Sequence, residues 1–168
     1  GKVLIIVADD LVKENMDATI IKNNTERLQN HVDTVSNAGG GTVHIPAGTY
    51  YFASSGANLR NVEEYVILCK DNVIIEGEGN SESSGTILVP YGTVSLEKGG
   101  MDMFYHNQYE DSNFTDPDFL ENADFKDFVI DGGKVVGGTY NSSGKGFMIN
   151  LFKNCDWENV TVKNTDGT

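Results

Sequence analysis

The stretch Ala38-Gly39-Gly40-Gly41-Thr42-Val43-His44-Ile45-Pro46-Ala47-Gly48-Thr49-Tyr50-Tyr51-Phe52 narrows the fold more than any other part of the chain. Ahead of it, Leu28, Val32 and Val35 fall at i, i+4 and i+7, which draws one narrow apolar stripe along a helix. Asn23 with Glu26 three residues on reads as a capping box, so the helix is predicted over 24–38. Three glycines then stop it, because glycine takes the left-handed conformation that ends a helix and lets the backbone turn sharply. Thr42 to Ile45 alternates as a strand does. Pro46-Ala47-Gly48 is expected to reverse the chain before a second, aromatic strand at Tyr50 to Phe52. A short helix ahead of many short strands suits a cap on a stack of coils, whose open apolar end must be covered.

These residues, with Leu28-Gln29 before them and Val73-Ile74-Ile75-Glu76-Gly77-Glu78-Gly79 after them, resemble the opening of pectate-lyase-like right-handed parallel β-helix proteins. That group holds polysaccharide lyases, polygalacturonase-like hydrolases, mannuronan epimerases and phage tailspikes. The resemblance spans 24–79 and rests on turn and core positions, so it speaks to fold and not to activity. It implies an all-β, single-stranded parallel β-helix with an N-terminal capping helix, the lead-in at 1–23 and the coils at 24–168. It also implies a polysaccharide partner and a place outside the cytoplasm or on a virion. Two functional classes follow: an enzyme that cleaves or epimerises an extracellular polysaccharide, or a non-catalytic glycan-binding adhesin or tail-appendage domain, the latter with a homotrimer as its assembly.

Beyond the opening, apolar runs recur at 65–68, 73–75, 86–89, 103–105, 128–130, 147–150 and 160–162, most of them closed by glycine or a polar residue. Phe125 to Asp131 aligns with Trp157 to Lys163 at an offset of 32, and Asn72 to Gly77 aligns with Asp127 to Gly132 at 55, which reads as two turns. A coil of about 28 residues would put Cys69 and Cys155 three layers apart. At about 4.8 Å per layer that is beyond the roughly 7 Å a disulfide spans, so both read as free thiols inside the stack. The run Val3 to Val7 is short enough for a buried strand. Residues 106–123, polar and acidic, and 132–146, rich in Gly and Ser, read as excursions of the kind that build binding grooves or serve as plain surface loops. A strand directly before Asn164-Thr165-Asp166-Gly167-Thr168 suggests that further coils follow.

Charge limits the partners. With 25 acidic and 12 basic residues the formal charge is −13, against nucleic acid and against an anionic membrane face. A polyanionic glycan would be repelled unless a basic groove or bound calcium intervened, and no other cofactor is evident. No apolar run is long enough to insert in a membrane. Asp166 stands in Asn-Thr-Asp, similar to a polygalacturonase motif whose Asp is a catalytic acid. The Asp-Asp pair, Gly-His-Gly and Arg-x-Lys that should accompany it are absent, so a structural turn is its other reading. Asp131 and Glu76 end matching strands before glycine, where a carboxylate can serve catalysis or hold turn amides. His106 opens the first excursion, and no Arg or Lys is placed beside these three candidates, Asp166, Asp131 and His106, by their spacing. Tyr105, Tyr109, Phe114 and Tyr140 can stack on sugar rings or pin the loops.

Overall fold

The computed structural model describes residues 3–61, 63–92, 100–132 and 145–165. Its one helix among these, α1, runs Ala18–Asn37, six residues earlier than the capping box suggested. Asp17 is the cap: its carboxylate accepts from the amides of Thr19 and Ile20 at 3.0 and 3.3 Å. Asn24 is buried inside the helix and does other work. Its amide donates to the carbonyls of Val12 and Tyr51 while its oxygen accepts from Val12 N, so it ties the lead-in to the first coil. Ile20 and Ile21 belong to the helix.

Strands β1 (Leu4–Val7), β2 (Gly41–His44), β6 (Val73–Glu76), β10 (Asp124–Asp131) and β13 (Asp156–Lys163) stand side by side and all parallel. Thr42 pairs with Ile74, Ile74 with Asp124 and Asp124 with Asp156, so successive coils take 32, 50 and 32 residues. The offset of 32 between Phe125 and Trp157 is one coil. The offset of 55 is not two. Val73 to Glu76 lies one coil from Asp124 to Lys126, and Glu76 stands beside Lys126, while Asp131 stands beside Lys163. The first excursion lengthens this coil, which is why a short motif match misread it.

Pro46-Ala47-Gly48 is a corner and not a reversal. β3 (Gly48–Phe52) pairs with β7 (Thr86–Pro90), one coil on, and never with β2. β10 runs on through this corner, pairing with β6 at its start and with β7 at Val129 and Ile130, which curls the sheet. A third face holds β5 (Glu64–Leu68), β8 (Met101–Tyr105) and β11 (Phe147–Met148), with the two-residue β4 (Gly56–Ala57) antiparallel at its edge. β9 (Leu120–Glu121) and β12 (Phe152–Lys153) pair beside the next corner.

The corners repeat their chemistry. Asn72, Asn122 and Asn154 all have positive φ, and each amide donates to the oxygen of the one before it, at 3.1 and 2.6 Å. Asn tolerates this backbone, so a column of Asn lets each coil turn at one place and bonds coil to coil. In the same column before them stands the glycine corner, where a Cβ at Gly41 would fall 1.9 Å from Leu4 O. Asn159 repeats the device on Asp127.

Phe104 stacks on Phe147 at 5.5 Å, and the buried Phe125 on the exposed Trp157 at 5.6 Å, like over like from coil to coil. α1 closes one end with Leu28, Val32 and Val35 wholly buried. Fully burying three such side chains is worth about 1.5–3 kcal/mol each. β1 is not a buried strand: Leu4 and Ile6 pack on the core, but Val3, Ile5 and Val7 are exposed. Both cysteines are free, Cys69 buried and Cys155 partly so. The Asn column puts them two coils apart, not three, because the coils are longer than 28 residues.

Candidate functional site

The strand β8 carries Met101-Asp102-Met103-Phe104-Tyr105, every residue buried. Asp102 falls out of phase with Met101 and Met103, so it leaves the core and meets what lies over that face. From the coil before comes Glu63, directly ahead of β5. From the coil after comes Lys145, two residues ahead of β11. Lys145 N donates to Asp102 Oδ1 at 2.8 Å, and its ammonium forms a short ion pair with Glu63 Oε1. The two carboxyls face each other, and burial first, then Glu63, pushes the Asp102 carboxyl up to about 8. Glu63 moves the other way: burial alone would raise it, but its bonds to Asp102 and Lys145, and the charges of Lys145 and Arg60, hold it below the usual range.

Arg60 rises from the same turn. Its guanidinium lies 4.4 Å from the centre of the Phe114 ring, which meets Tyr109 edge-on at 5.3 Å. Tyr105 forms the floor, stacked on Tyr65 at 5.5 Å, its hydroxyl held by Asn58 and its acidity lowered by burial. Arg60, Tyr105, Tyr109 and Phe114 with Leu59 and Asp111 bound a shallow, open cleft of about 10 Å³, and Asn107 and Gln108 add amides to it. Phe114 has φ +61, a backbone region that a bulky residue rarely enters and that costs on the order of 1–3 kcal/mol.

Three buried side-chain atoms among the described residues have no hydrogen-bond partner: Glu63 Oε2, Asp102 Oδ2 and Asn107 Oδ1. All three lie in or directly behind this cleft. Buried polar atoms are ordinarily paired, so their gathering at one place marks it.

Of the residues expected to act, Tyr105 and Tyr109 meet here. His106 is next in the chain but faces a neighbouring, larger hollow of about 210 Å³ with Cys69, Lys70, Asp71, Asn107 and Asp118. It is buried, with Nε2 on the carbonyl of Asp118 at 2.9 Å, and so ties the excursion to β8. Asp131 ends β10 on another face, accepting from Asn164 at 3.1 Å with Lys163 at 3.9 Å, so that a cation does stand beside it, one coil on at the offset of 32. Tyr140 and Asp166 lie outside the described residues. Glu76 and Glu78 grip His44 from both sides at 2.9 and 3.0 Å. Burial would lower the His44 pKa, but those two hydrogen bonds and charges outweigh it and raise it. Among the described residues no three His, Cys, Asp or Glu side chains gather as a cation site would need. Spacing missed Asn58, Arg60, Glu63, Asp102 and Lys145. The one available signal was an Asp inside an otherwise apolar strand.

No family model matches the sequence, and no curated protein does. Solved structures do. The A-module of mannuronan C-5 epimerase AlgE6 of Azotobacter vinelandii superposes with a TM-score of 0.65 at 19% identity, over 96% of this chain and 38% of that one. That of AlgE4 gives 0.64 and 18%, over 96% and 39%. The tailspike protein of E. coli bacteriophage HK620, in complex with a pentasaccharide, gives 0.69 and 21%, over 97% and 26%. This chain thus spans well under half of each, and the likeness is one of fold. It falls on two of the classes that the opening residues resemble.

Proposed function

We propose that this chain forms right-handed, single-stranded parallel β-helix coils of a carbohydrate-active protein that works on a polysaccharide outside the cytoplasm or on a virion. In this reading the cleft of Arg60, Tyr105, Tyr109 and Phe114 is a sugar contact. The observation that carries it is the coincidence of an exposed, strained Phe114, the half-buried Tyr109 beside it and every unpartnered buried side-chain polar atom among the described residues at one place. Sugar rings present CH faces to aromatic planes and hydroxyls to amides and guanidinium, and the cleft offers all three. Its rim is acidic, with Glu110 raised by its neighbour Asp116. That rim, with the net charge of −13, favours an uncharged or amino sugar over a run of uronates. The fold likeness to a polysaccharide epimerase and to an oligosaccharide-bound tailspike supports the polysaccharide as partner.

Cleavage needs two carboxyls flanking the scissile bond, about 5 Å apart for retention or 6.5–9.5 Å for inversion. Glu63 and Asp102 touch each other and face inward, which suits support and not attack. The 168 residues by themselves therefore bind without turnover. Incubated with uronate polymers, with and without calcium, and with neutral polysaccharides, they should release neither unsaturated products nor reducing ends. Release of either would place a complete site within them, and Asp131→Asn and Asp166→Asn would then be the first changes to make.

A further inference from the structure

Lys145 holds two carboxyls close to each other, its backbone N–H on Asp102 and its ammonium on Glu63, and one oxygen of each has no donor, so they cannot both stay ionised without like charges facing at close range. A single proton solves this: it gives Glu63 Oε2 and Asp102 Oδ2 one hydrogen bond and leaves the pair with one negative charge facing Lys145 and Arg60. We propose that Glu63 and Asp102 share a proton as a latch under the sugar cleft, positioning Arg60 and Tyr105, and that its loss opens the cleft wall.

The wiring is short. Asn58 N donates to Glu63 O at 2.8 Å and Asn61 N to Asn58 O at 2.9 Å, so Glu63 closes the turn that carries Arg60. Asn58 also holds the Tyr105 hydroxyl, and Arg60 holds Phe114. Pushing Glu63 from Asp102 therefore moves both walls. The charged and titratable groups that face the pair among the described residues are Lys145, Arg60 and Tyr105. The Asp102 carboxyl is raised to about 8, so its contribution to stability is complete below its ordinary value near 4 and is lost as pH rises through about 8.

This inference rests on the cleft being the sugar contact, but its test does not use a sugar. Amide hydrogen exchange of the whole chain, corrected for intrinsic rates, is compared at pH 6 and pH 9. The amides of Asn58, Asn61, Met103 and Phe104 should lose protection at least tenfold at pH 9, while those of β2 and β6 keep theirs. Asp102→Asn, which supplies a permanent donor, should abolish the difference. If that variant does not fold, Glu63→Gln offers the same donor from the other side. Equal protection at both pH values in the unaltered chain, or a pH-dependent loss that persists in the folded variant, would overturn the latch. A latch that holds in a chain that binds no glycan would refute the sugar reading alone.

Discussion

The capped end of the stack and the cleft side are built from the same kinds of residue and treat them in opposite ways. At the cap, Leu28, Val32 and Val35 are wholly buried and every polar group that goes in finds a partner. Gln29 takes both the N–H and the C=O of Leu68, at 2.8 and 3.0 Å, and Thr25 donates to Ala53 O at 2.7 Å. At the cleft, Glu63, Asp102 and Asn107 keep unpaired atoms, and Phe114 sits exposed in a costly backbone region. The cap obeys each local rule because its task is to hold the stack closed. The cleft breaks several at once, and departures of this kind collect where a surface has another task.

The largest effect that would break this contrast is at the cap. Val32→Asp places an unpaired charge where no water reaches, and should cost roughly 4 kcal/mol or more. The expected outcome is aggregation or loss of the cooperative transition in chemical denaturation. A soluble variant that unfolds cooperatively near the wild-type midpoint would mean that α1 does not seal the stack. Next in size is Gln29→Ala, which strands both backbone groups of Leu68 and should lower stability by about 1–3 kcal/mol. A smaller loss would show that the cap is held by its apolar stripe alone. Smallest is Phe114→Gly, where relief of the positive φ offsets the lost ring contacts. Its unfolding free energy should stay within about 1 kcal/mol of wild type.

The same contrast explains what could be read from the sequence. The stripe of Leu28, Val32 and Val35, the glycine corner and the strand at 42–45 are local patterns, and they emerge where they were expected. So does the coil step of 32 from Phe125 to Trp157, which is the register in which β10 and β13 pair. The helix starts earlier than expected because two plausible caps, Asp17 and Asn23, lie six residues apart, and it is Asp17 that takes the first amides. The coil count between the cysteines failed because the excursion at 106–123 makes one coil 50 residues long, which no periodicity reveals. The cleft was half legible. Tyr105 and Tyr109 stand out as aromatics beside a polar loop, but Glu63, Asp102 and Lys145 are 39 and 43 residues apart along the chain and meet only because three coils stack them. Asp131 and His106 were attractive by type alone, and the fold sets them on different faces.

The central claim, that the cleft side is the functional one, is tested most directly by titrating the isotope-labelled chain with oligosaccharides from uncharged and amino-sugar-containing surface polysaccharides and following its NMR spectrum. The account predicts shifts that centre on Arg60, Tyr105, Tyr109 and Phe114 at pH 6, with Phe114→Gly weakening binding at least tenfold while the fold stays intact. Shifts centred on another face, or a Phe114→Gly chain that binds as tightly as the unaltered one, would contradict it.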